Sequence, residues 1–98
     1  MRLNLNAFIA PLRKINPDKI ILFGSHAYGT PRNDSDVDIL VILNTNRSFH
    51  QRIQEIRPLL PKGRAIDLIV LTPKEYQQSK ITNPLISEID SKGKIIYG

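Results

Sequence analysis

Two short apolar runs in this chain are joined by a spacing that few folds can satisfy. Ile20-Ile21-Leu22-Phe23 ends on Gly24-Ser25, and ten residues later Asp36-Val37-Asp38 opens a second run, Ile39-Leu40-Val41-Ile42. A continuous apolar run of this length reads as a strand buried on both faces. The fold must therefore set a tight turn and a pair of carboxylates at the ends of internal strands. The turn is a candidate phosphate cradle, and the carboxylates are a candidate metal site.

Side chains alternate along a strand, so Asp36 and Asp38 share a face and Val37 points the other way. Their Cα atoms then lie roughly 6.5–7 Å apart. Two ionised carboxylates at that distance repel by about 2–3 kcal/mol at an effective dielectric of ~20. Aspartate is also a poor strand former, so something must offset the cost. A hard divalent cation does so directly, and Mg²⁺ takes one or two carboxylates plus substrate phosphates. Asp67 interrupts a third apolar run, Ala65 to Leu71, and an isolated charge there calls for a partner. If the third strand neighbours the second, Asp67 faces Asp36 and Asp38. Three carboxylates suffice for two metal ions, one activating the attacking oxygen and one on the leaving phosphates.

Gly24 and Ser25 form the other half of the constellation. A turn directly after a buried strand presents free N–H groups, and glycine lets a phosphate approach the backbone. Ser25 adds a hydroxyl and is expected to cap a helical turn behind it. No Gly-Lys-Ser/Thr follows, so this is not a Walker A loop. Asp-x-Asp alone is a weak signal. Joined to Gly-Ser at a fixed offset, strand context and Asp67, it becomes a specific one.

The remaining chain frames that site. Leu5, Phe8, Ile9, Leu12 and Ile15 follow helical spacing, with Pro11 predicting a kink or a late start near Ala10. Asn16-Pro17-Asp18 reads as a turn, Lys19 to Phe23 and Asp36 to Leu43 as strands, and residues 24–35 as loop with one helical turn. Ser48 to Gln51 has capping-box spacing, and Phe49, Ile53, Ile56 and Leu60 share one face of the helix that follows. Thr72-Pro73-Lys74-Glu75 and Asn83-Pro84 start two further helices, and Lys94 to Tyr97 reads as a last strand. This alternation predicts an α/β (α+β) layer fold, a small mixed sheet of three to four strands flanked by helices. At 98 residues the chain reads as one domain over 1–98, too short for a second, substrate-recognising domain.

Composition narrows the function classes. There is no cysteine, which excludes disulfides and thiolate metal sites and makes a cytoplasmic location the expectation. No apolar run approaches the ~20 residues of a membrane span, and no signal-peptide core is visible near Met1. The net charge of +5 suits a polyanionic or acidic partner, although the bases are scattered and a solvated surface explains them more simply.

The motif resembles that of the minimal nucleotidyltransferases within the DNA polymerase β-like superfamily. That signature is Gly-Ser, ten residues, Asp-x-Asp and a later acidic residue. Gly24-Ser25, His26 to Ser35, Asp36-Val37-Asp38 and Asp67 match it without insertion. Ala27, Gly29 and Ser35 look like family residues of the spacer, and the tail Ile89 to Gly98 looks like the family's closing strand. The resemblance implies a nucleotidyltransferase fold and transfer of a nucleoside monophosphate, AMP from ATP, with loss of pyrophosphate. It implies Asp36, Asp38 and Asp67 as catalytic and metal-holding residues for two Mg²⁺ ions, and Gly24 and Ser25 as nucleotide-binding residues. Small members of this kind are encoded beside HEPN-domain ribonuclease toxins and act as antitoxins, in some cases by adenylylating a toxin tyrosine. The implied partner is thus a HEPN-type protein in a hetero-oligomer, with no membrane and no direct nucleic-acid binding. The alternative is a non-catalytic antitoxin that neutralises the toxin by contact alone. Transfer to a small molecule or RNA would need help from another chain.

Other candidates have plainer readings. His26 lies beside the motif and reads as a solvated loop histidine rather than a phosphate contact. Arg32 lies within reach of a triphosphate, with an ordinary surface residue as the simpler reading. His50 has no evident role. Tyr28, Tyr76 and Tyr97 read as packing residues, and Arg52, Arg57 and Arg64 as a wet basic surface.

Overall fold

A computed structural model of the protein describes residues 3–31 and 35–98. Arg32 lies outside the described residues. The order of elements is α1 (Asn6–Leu12), β1 (Lys19–Phe23), α2 (Ser25–Tyr28), β2 (Val37–Ile42), α3 (Phe49–Ile56), β3 (Ile66–Leu71), α4 (Pro73–Thr82), α5 (Pro84–Lys92) and β4 (Lys94–Tyr97). Two 3₁₀ turns, Arg13–Ile15 and Arg57–Leu59, extend α1 and α3. The sheet is four-stranded and mixed, in the order β3-β2-β1-β4. β1 is antiparallel to both β2 and β4, and β2 is parallel to β3. The expected mixed sheet flanked by helices is therefore present, with four strands and five α-helices among the described residues.

Strand alternation sorts the core into two layers. Ile20, Leu22, Val37, Ile39, Val41, Ile66 and Val70 join Phe8 and Leu12 of α1 and Ile56 of α3 on one face. Ile21, Phe23, Leu40, Ile42 and Leu71 join Tyr76 of α4 and Ile86 and Ile89 of α5 on the other. Both inner strands are thus covered twice, which is why their sequences are continuously apolar rather than alternating.

Three expectations need correction. Pro11 does not delay α1, which starts at Asn6 and runs through the proline. Burial of Phe8 and Leu12, each contributing about 1.5–3 kcal/mol, offsets the roughly 3 kcal/mol cost of a helical proline. Phe49 is not part of the buried face of α3. It is 58% exposed, at the first helical position, with the Arg52 guanidinium 4.9 Å from its ring centre.

Arg52 is not a wet surface residue. It is buried, and its fork bonds Glu75 at 2.7 and 3.3 Å, the Val70 carbonyl at 3.2 Å and the Arg47 carbonyl at 2.8 Å. Glu75 also closes the capping box with Thr72 that starts α4. Helical spacing offered a signal for this: Arg52 lies four residues before Ile56, on the face that meets the sheet. Arg57 is exposed as expected, and it donates to the Ile66 carbonyl at 3.1 Å.

Candidate active site

The site follows from register. Phe23 lies opposite Asp38 in the antiparallel pair, and Asp38 lies beside Asp67 in the parallel pair. One row across the sheet therefore reads Asp67, Asp38, Phe23, and Phe23 leads into Gly24. Asp38 precedes Leu40 and Ile42 at strand period, so it shares their face, the one covered by α4 and α5. Asp67 shares that face for the same reason, through Leu71. Asp36 lies just before β2, two residues from Asp38. The backbone still pairs nearby, since the Val37 N–H donates to the Ala65 carbonyl at 3.0 Å.

The electrostatics single out Asp38. It is half-buried, whereas Asp36 and Asp67 are exposed. Burial pushes its carboxyl up to about 6, helped by a hydrogen bond to Asp67 and by the charges of Asp67 and Asp36; His26 acts in the opposite sense. Among the described residues, no lysine or arginine forms an ion pair with any of the three aspartates.

The turn is built around the same carboxylate. Gly24 has φ +72°, and a Cβ on it would collide with Asp38 Oδ2. Only glycine fits there, for both conformation and space. Gly24 also caps α2, its carbonyl accepting from the N–H groups of Ala27 and Tyr28 at 3.0 and 3.1 Å. Ser25 is the first residue of α2 rather than its cap, and its side chain makes no capping bond. That part of the expectation is corrected: the chain enters the helix one residue earlier, because glycine supplies the turn conformation. Gly29 closes α2, where a Cβ would stand 2.8 Å from Ser25 Cα. His26 is half-buried, and its Nε2 lies 3.3 Å from the Ser35 carbonyl. It is not a solvated loop histidine, and no spacing in the sequence signals that bond.

The donor set suits a hard cation. Carboxylates held side by side against their own repulsion are what an oxygen-seeking divalent ion relieves. Among the described residues, no three His, Asp or Glu side chains are gathered closely enough to hold an ion by themselves. Any ion here would take its remaining ligands from substrate or water, as Mg²⁺ commonly does.

The geometry coincides with a known family. The family model for a nucleotidyltransferase domain matches residues 5–97. The chain belongs to this family. It is 39% identical over 84 residues to one Methanocaldococcus jannaschii protein and 27% identical over 85 residues to another, both named "Putative protein adenylyltransferase". Those matches span 80% and 87% of this chain, but 56% and 84% of the relatives, so the chain accounts for only about half the length of the first. Among solved structures, a chain in the crystal structure of a toxin–antitoxin with AMP-PNP superposes with a TM-score of 0.65 at 27% identity, over 98% of this chain and 74% of that one. The crystal structure of a nucleotidyltransferase homologue from Sulfolobus solfataricus shares the fold, with a TM-score of 0.57 at 18% identity, over 93% of this chain and 83% of that one.

Proposed function

We propose that this nucleotidyltransferase domain transfers AMP from ATP to a hydroxyl group, with a tyrosine of a HEPN-type ribonuclease toxin as acceptor, and that it thereby acts as antitoxin. The observation that carries the reading is the pair Asp67–Asp38 on neighbouring strands with Gly24 packed against the Asp38 carboxylate. The toxin–antitoxin relative with AMP-PNP supports both the nucleotide and the class of partner. The HEPN identity rests on the family resemblance of the motif.

In this reading Asp36, Asp38 and Asp67 would hold Mg²⁺, two ions at full occupancy. The metal would supply charge for the triphosphate and acidify the attacking hydroxyl. The backbone at Gly24 and Ser25 would hold the phosphates, kept open by the missing Cβ. The acceptor oxygen attacks the α-phosphorus, the bond to the bridging β-phosphate oxygen breaks, and pyrophosphate leaves. Asp67, the exposed member of the row, takes the hydroxyl proton. Positioning and charge stabilisation carry most of such a reaction.

The test is intact-mass analysis of the protein encoded beside this one, after incubation with the purified chain, MgCl₂ and ATP. A gain of one AMP is expected, absent with Asp36→Ala/Asp38→Ala. No adduct with any nucleotide would overturn the catalytic reading. A double variant that still protects cells would assign protection to contact alone.

A further inference from the structure

Ten residues separate the Gly-Ser turn from the carboxylates, and one side chain bridges that interval. His26 is the second residue of α2, and Ser35, nine positions later, immediately precedes Asp36. A carbonyl oxygen only accepts, so Nε2 carries the proton and donates across the 3.3 Å to Ser35. The bond fixes the backbone from which Asp36 departs and ties it to the helix that Gly24 starts.

We propose that His26 is a positioning residue for nucleotidyl transfer: its Nε2–H, donated to the Ser35 carbonyl, holds Asp36 in place relative to Gly24 and Asp38. It acts through the backbone and touches no reacting atom. This rests on the nucleotide-binding role given above to the same turn and carboxylates. It goes beyond that role in assigning a function to a spacer side chain.

The chemistry of the bond selects the variants. A glutamine places its amide N–H where Nε2 stands, an asparagine places it nearer Nδ1, and alanine offers nothing. The experiment measures Mg²⁺-ATP affinity and the kcat and KM of AMP transfer for wild type, H26Q, H26N and H26A, with a thermal melt of each. A neutral hydrogen bond of ordinary strength predicts about fivefold weaker ATP binding and a matching rise in KM for H26A and H26N, with kcat nearly unchanged. H26Q is expected within about twofold of wild type. H26A equal to wild type, or H26Q as weak as H26A at the same melting temperature, overturns the proposal. Wild-type protein that binds no ATP overturns the nucleotide-binding reading itself, an outcome distinct from the first two.

Discussion

β3 carries a carboxylate problem at each end, and the two ends solve it differently. Just past its C-terminal end, Glu75 meets the buried guanidinium of Arg52, and both are further bonded to backbone. At its N-terminal end, Asp67 faces Asp38 with Asp36 nearby, and among the described residues no lysine or arginine pairs with them. The first arrangement locks α3 to α4 and is complete within the chain. The second keeps carboxylates side by side with no such ion pair among the described residues, an arrangement that a cation would stabilise. A protein tolerates such a conflict where function requires it, and local strain of this kind clusters at active sites.

This contrast gives opposite expectations for mutations of the same chemical type. The largest effect is on activity. Asp36→Ala/Asp38→Ala is expected to lower AMP transfer by at least about 10³-fold, through loss of several kcal/mol of metal-dependent stabilisation. Its fold should survive, since removing repelling charges does not unfold a sheet. An inactive but unfolded variant by circular dichroism would break the comparison.

Next in size is the other end. Arg52→Ala strands Glu75 and two backbone carbonyls, and is expected to destabilise the protein by about 2–4 kcal/mol in urea unfolding. Activity per folded molecule should be unchanged. Gly24→Ala comes third. It forces a side chain into φ +72° and against Asp38, at a cost of about 1–3 kcal/mol, and it should abolish ATP binding as well. Stability lost with ATP affinity retained would separate the glycine from the site.

The smallest effects are on pH dependence, and they carry opposite signs. The Arg52 hydrogen bond holds the Glu75 carboxyl below its ordinary value. Its contribution is therefore present above the unfolded pKa and lost as pH falls through the lower folded value. The stability gap between wild type and Glu75→Gln should close in acid. Asp38 is raised to about 6, mainly by burial and then by Asp67. In chelator, its contribution is therefore full below the unfolded value of 3.8 and lost as pH rises through about 6. Asp38→Asn should match wild type in acid and become relatively more stable at neutral pH. Melting curves of the three proteins across pH 4–8 check both signs.

The sequence read well where local rules and global fold agree. Lys19–Phe23 and Lys94–Tyr97 were legible to the residue, because continuous apolar runs bounded by turns leave little choice. The capping boxes at Ser48 and Thr72 fixed two helix starts. Asp67 was legible as a charge in an apolar strand, and the sheet order brings it beside Asp38. What stayed hidden depends on contacts distant in sequence. Arg52 is buried only because Glu75, 23 residues on, is there to meet it. His26 is held by a carbonyl nine residues away, and periodicity carries no information about such a bond. Of the two readings of Pro11, a kink or a late start, the late start fails because propensity there was weighed without the core that Phe8 and Leu12 fill.

The central claim is that the acidic end of the sheet is a cation-dependent nucleotide site. The most direct test is ATP binding by calorimetry, in MgCl₂ and in chelator, for wild type and Asp36→Asn/Asp38→Asn. The account predicts binding that requires Mg²⁺ in wild type and is lost in the variant. Equal affinity in chelator, or a variant that binds Mg²⁺-ATP as wild type does, would contradict it.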